Sequence, residues 1–107
     1  MHVTKFLVLY RADQSAAEAM SAITPEQQQA SMQAWMAWAG KAGPAIVDLG
    51  APLAPAAGTT VSGDAVGGFS ILQAESAEAL HEVLEGHPHS AQGGTIEVHE
   101  LLPIPGM

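Results

Sequence analysis

Apolar residues run without interruption through KFLVLY (5–10) and stop at the polar RADQS. That pattern predicts a strand buried on both faces, without strict inside–outside alternation. Ser15 and Glu18 stand three apart in the form of a capping box, which predicts a short helix to about Ala22. Thr24, Pro25 and Gln27 make a firmer start signal: a threonine N-cap, a proline at the first helical position, and a glutamine placed to reach back to the cap. Met32, Trp35, Met36 and Ala39 follow at i, i+3, i+4, i+7, so the expected helix buries that stripe until Gly43 and Pro44 end it. AIVDLG (45–50) reads as a second strand. The proline-, glycine- and alanine-rich residues 51–68 read as a loop or ragged hairpin with a short strand-like TTV inside it. GFSILQA (68–74) is a third strand. Ser76 caps a helix whose Ala77, Leu80 and Leu84 face inward and whose Glu78, Glu82 and Glu85 face water, with Gly86 and Pro88 as its stop. TIEVHELL (95–102) closes the pattern, alternating Ile96 and Val98 against Glu97 and His99.

Strand, helix, strand, strand, helix, strand is the order of the ferredoxin-like α+β fold, with both helices on one face of an antiparallel sheet. The whole chain, 1–107, is then one domain. Its uncovered sheet face also asks for burial, because the first strand is apolar on both sides and the third sets Phe69 and Ile71 against Leu72 and Ala74. A second sheet from an identical chain would supply that cover, so the expected assembly is a homodimer with the two sheets face to face, a dimeric α+β barrel.

Charge narrows the range of partners. Only Lys5, Arg11 and Lys41 stand against eleven carboxylates, a formal net charge of -8, so no basic stripe exists for nucleic acid or an anionic membrane surface. With no cysteine, thiolate nucleophiles, disulfides and Cys-based zinc sites are out. The opening residues lack the length and cleavage site of a signal peptide and no run reaches membrane-spanning length, so the expected location is the cytoplasm.

Candidate chemistry gathers in EGHPHSAQGGTIEVHE (85–100), where three of the five histidines sit among three glutamates. His87 and His89 flank a proline just past the second helix and could supply an acid and a base near neutral pH at the mouth of a cleft. The plainer account is a helix end, where an imidazolium is stabilised by about 0.3–1 kcal/mol against the helix dipole. Asp48, inside an apolar strand, is a candidate base or orienter, although a sheet edge would also explain it. A metal site from His87, His89 and His99 with Glu97 or Glu100 is disfavoured: the proline splays the first two rings, and Glu97 and His99 share a strand face that Glu100 does not. Glu97 and His99 are expected as a hydrogen-bonded pair lining a ligand or an interface. Trp38 falls off the predicted stripe and is a candidate to cover a pocket or the partner chain. Tyr10 and Arg11 could orient an anionic ligand from the end of the first strand. His81 is expected to be packed and satisfied, and His2 to be a surface residue. Gly67 and Gly68 precede a strand rather than open a helix, so they form no phosphate loop.

Taken together, KFLVLYR, TPEQQQASMQAWMAWAGKAG, GGFSILQAESAEAL, HPH and IEVHELLPIPGM make a chain that resembles, over nearly its whole length, the YCII-related proteins of the dimeric α+β barrel superfamily. The resemblance implies the ferredoxin-like fold, the homodimeric barrel and a ligand-sized cleft between sheet and helices, with no cofactor. It also implies little about the reaction, since some relatives are lyase-like or dehalogenating enzymes, other superfamily members are isomerases or monooxygenases, and many have no assigned activity. Two motifs depart from the enzyme-like pattern. The long helix holds no histidine, and the aspartate–proline dipeptide expected after the second helix reads His87-Pro88. A DGPF signature of another branch is replaced by VSGDAVGGF. The dyad of the enzyme-like members therefore does not transfer. The expected function is binding of a small organic molecule in the barrel cleft. The alternatives are a cofactor-independent lyase, dehalogenase or isomerase acting on a small organic acid or phenol through His87 or His89, and a non-catalytic dimerisation module.

Overall fold

The four strands and two longer helices of the computed structural model follow the predicted order, with a 3-10 turn and a short third helix in addition: β1 (Thr4–Ala12), α1 (Pro25–Ala42), the 3-10 turn (Gly43–Ala45), β2 (Ile46–Pro52), β3 (Ala65–Ala74), α2 (Ala77–Leu84), a four-residue α3 (Pro88–Ala91) and β4 (Thr95–Glu100). Residues 3–12, 23–59, 65–91, 93–102 and 104–105 are described. The helix expected at 15–22, Thr60 and Val61 of the TTV stretch, and His2 lie outside them.

The sheet order is β2-β3-β1-β4 and every neighbouring pair is antiparallel, which is the ferredoxin-like arrangement. Register assigns the two faces. Phe6, Val8 and Tyr10 pair with Leu72, Ser70 and Gly68 on one side, and Val8 and Tyr10 with Val98 and Ile96 on the other, so all of these share the face that the helices cover. Phe6, Val8, Tyr10 and Leu72 are buried there with Trp38, Leu80 and Leu84 from the helices. Leu7, Leu9, Phe69 and Ile71 occupy the opposite, open face and are half-buried in the single chain. Gly50 keeps β2 on the sheet: its φ is 86°, and a Cβ there would collide with the Phe69 carbonyl.

α1 begins as its sequence dictates. The Thr24 side chain accepts from the Gln27 N–H at 3.1 Å, and the Gln27 side-chain oxygen accepts from the Thr24 N–H at 2.9 Å. Thr24→Ala should cost about 1 kcal/mol in a urea unfolding experiment, and a change within error would mean that water replaces the cap. The buried stripe of α1 is shifted. Trp35, Trp38, Ala39 and Ala42 face the core, whereas Met32 and Met36 are 65% and 62% exposed. The helix is turned by about 60° from the expected stripe at 3.6 residues per turn, because both sets share one spacing and tryptophan offers the larger area to bury. In α2, Leu80 and Leu84 are buried as expected, but Ala77 and His81 are exposed.

Candidate functional site

The HPH tripeptide starts a helix as well as ending one. Gly86, with φ 76°, closes α2, and the His87 N–H donates to the Leu84 carbonyl at 3.0 Å. His87 then acts as N-cap of α3: its carbonyl accepts from the Ala91 N–H at 3.1 Å, its Nδ1 accepts from the His89 N–H at 3.0 Å, and Pro88 takes the first helical position. This corrects the picture of two imidazoles at the mouth of a cleft. His87 is 0% exposed and points into the core.

It enters a cage made of both tryptophans and the chain's only tyrosine. The Tyr10 ring stacks on His87 at 5.0 Å between centroids, Trp35 meets it edge-on at 4.5 Å, and Trp38 lies tilted at 4.4 Å. Trp35 also packs edge-on against Tyr10 at 5.1 Å. Each ring is anchored elsewhere. The Tyr10 hydroxyl donates to Ser70 Oγ at 2.8 Å, which donates to the Leu49 carbonyl at 2.6 Å, and the Trp38 indole N–H donates to the Val83 carbonyl at 3.0 Å. The wall is uncharged: burial raises the Tyr10 phenol above its usual value.

His87 is uncharged as well. Burial, with a smaller contribution from the charge that His89 can carry, lowers its pKa to about 4. Burial at this helix end thus works against an imidazolium, the opposite of the effect expected from the helix dipole. Because Nδ1 accepts the His89 N–H, the proton of the neutral ring sits on Nε2. That Nε2 has no hydrogen-bond partner, and it is the one buried side-chain nitrogen or oxygen among the described residues in that state.

His89 is oriented by its own Nε2–H, which donates to the Arg11 carbonyl at 2.8 Å and leaves Nδ1 as the acceptor. The ring packs edge-on against Tyr10 at 5.4 Å. Gly94 makes room for it: a Cβ at that position would overlap the His89 imidazole, and no positive φ demands a glycine there. Gly94→Ala should displace the ring, cost roughly 1–3 kcal/mol through overpacking, and alter the His89 Nε2–H signal in ¹⁵N NMR. An unchanged signal would show that the backbone absorbs the methyl group.

The remaining candidates lie elsewhere. Arg11 follows Tyr10 on β1, so its side chain emerges on the open face of the sheet, where its Nε donates to Glu97 Oε2 at 3.1 Å. His99 meets the same oxygen at 3.0 Å, the pair expected from the alternation of β4. Hydrogen bonds from His99 and then Arg11 hold the Glu97 carboxyl below its usual range. Tyr10 and Arg11 thus serve opposite faces and do not converge on one ligand. Asp48 does not join the cage either. It sits exposed on the edge strand β2, opposite Ile71 of the open face, and its Oδ1 accepts from the Gly50 N–H at 2.8 Å. Trp38 belongs to the core, 4% exposed, and it also lines a surface groove. The sequence signals for the cage were the i, i+3 spacing of the tryptophans and a proline one residue after a possible cap.

Two surface grooves flank the cage. One of about 420 Å³ runs between α1 and α3 past Ala37, Trp38, Lys41, Gly86 and Pro88, and Trp38 separates it from His87. Another of about 540 Å³ lies along β4, over Leu84, Ile96 and Val98 with His81 and Glu82 at its rim. Among the described residues, no three histidine, aspartate or glutamate side chains gather as a metal-binding set, and no helix is long and apolar enough to cross a membrane.

Comparison with known proteins gives a family match over most of the chain. The model of the YCII-related domain matches residues 4–105. Among solved structures, the chain is similar to 5-chloro-2-hydroxyhydroquinone dehydrochlorinase (TftG) from Burkholderia phenoliruptrix AC1100, in complex with 2,5-dihydroxybenzoquinone. The identity is 26%, the match covers 87% of this chain and 90% of that one, and the TM-score is 0.47. No curated protein matches.

Proposed function

The chain belongs to the YCII-related domain family, and on that premise we propose that it binds a small organic molecule at the ring cage, through the Nε2–H of His87. The observation that carries this reading is the buried donor without an acceptor. An unmade buried hydrogen bond costs about 1–3 kcal/mol, and an apolar ring of similar size would avoid it. The surrounding rings give the N–H at best a weak contact with their π-faces. A ligand acceptor would complete the bond. Trp35, the half-buried wall of the cage, is the ring whose displacement admits the ligand.

The working form is a cytoplasmic homodimer in which the half-buried Leu7, Leu9, Phe69 and Ile71 of two sheets meet. Sedimentation at micromolar concentration should give twice the chain mass, and a monomer would refute the assembly. The binding site is tested by ¹⁵N NMR of the imidazoles during titration with a library of small acids, phenols, amides and ketones. Binding should move the His87 Nε2–H signal and be lost in His87→Phe. A library that leaves that signal unmoved removes His87 from any site.

A second reading, a cofactor-independent proton-transfer enzyme, is favoured by the orientation of His89. With Nε2–H held on the Arg11 carbonyl, Nδ1 is the lone pair able to accept a proton. His87 would then be a neutral electrophile rather than the base, since its Nδ1 lone pair is taken. His89→Asn with binding retained and turnover lost supports this reading; turnover retained refutes it.

A further inference from the structure

Resting on that reading of the cage, we infer that its ligand is a flat, uncharged molecule presenting a carbonyl oxygen to His87, such as an aromatic amide or ketone, and not a carboxylate or phenolate. The charge inventory carries this. The chain has three basic side chains, and none of them lines the cage. Lys5 shares the strand face of Leu7, Leu9 and Arg11, away from the helices. The Arg11 guanidinium emerges on that same face, against Glu97. Lys41 is exposed in the groove on the far side of Trp38, where Glu85 also lies.

What surrounds the site is one N–H without an acceptor and three rings, Tyr10, Trp35 and Trp38, that pack on the His87 imidazole. A carboxylate taken from water into such a place would exchange its whole hydration shell for a single neutral donor, inside a protein of net charge -8. A carbonyl oxygen sheds far less water and is completed by one hydrogen bond. The rings favour a flat guest, because offset and edge-to-face contacts need a planar partner. His89 lies just outside the cage, its ring edge-on to Tyr10 and its Nε2–H committed to the Arg11 carbonyl, so that N–H is not a second donor for the guest.

The experiment is a ¹H–¹⁵N NMR titration of the full chain at pH 8, following the His87 imidazole with benzamide and acetophenone, and separately with benzoate and 4-nitrophenolate. The neutral probes should shift the Nε2–H signal and bind at least ten-fold more tightly than the anions. An anion that moves the same signal with equal or greater affinity overturns this inference and leaves the site in place. If no probe moves the signal, the site itself is refuted and the inference falls with it. The comparison is made on the unmutated protein, so it does not depend on whether a His87 variant folds.

Discussion

Trp38→Ala should lower the unfolding free energy by about 3–5 kcal/mol, a large share of what a domain of this size has. The indole is 4% exposed, packs against His87 and Trp35, and gives its N–H to the Val83 carbonyl, so its removal opens a void and strands an acceptor on α2. Met36→Ala, two residues earlier on the same helix, should change stability by no more than about 0.5 kcal/mol, because that side chain lies in water. Urea unfolding followed by far-ultraviolet circular dichroism measures both without relying on tryptophan emission. Equal losses in the two variants would mean that α1 buries the methionine stripe instead.

The second large effect is on pH dependence. His87 binds a proton at about pH 4 when folded and near the ordinary 6.5 when unfolded. Between those values the unfolded chain holds the additional proton, so stability rises with pH through this window. Its contribution is fully present above about 6.5 and is lost as the pH falls to about 4, a change on the order of 3 kcal/mol. Glu97 acts in the same direction at lower pH, since its folded carboxyl is held below its usual range. His87→Phe separates the two: the difference between wild type and variant should slope between pH 6.5 and 4 and be flat above pH 7. A difference that is flat throughout would show that the ring is hydrated and titrates normally. The same variant loses the Nδ1 acceptor that caps α3, about 1 kcal/mol, and removes the unmade Nε2–H bond, about 1–3 kcal/mol in the opposite sense, so a constant offset set by their difference should underlie the slope.

Local signals in the sequence were enough for the four strands and the two longer helices within the described residues, but not for the four-residue α3. The unbroken apolar run of β1, the threonine–proline–glutamine start of α1 and the Ser76 cap of α2 each act within a few residues, where steric and hydrogen-bond rules operate without the rest of the chain. Element order then implied the antiparallel sheet, and alternation along β4 placed Glu97 beside His99. Tertiary contact decided the rest. Alanine, methionine and tryptophan are all apolar, so periodicity alone left the rotation of α1 open, and the fit of two indoles around an imidazole selected Trp38 over Met36. The same packing took the charge off His87, because desolvation depends on what surrounds a ring and not on its neighbours in sequence. Alternation along β1 already set Tyr10 and Arg11 on opposite faces, but sheet pairing and helix packing decided which face became the core, and left Asp48 on an edge strand, outcomes the amino-acid order states only once the strands have found their partners.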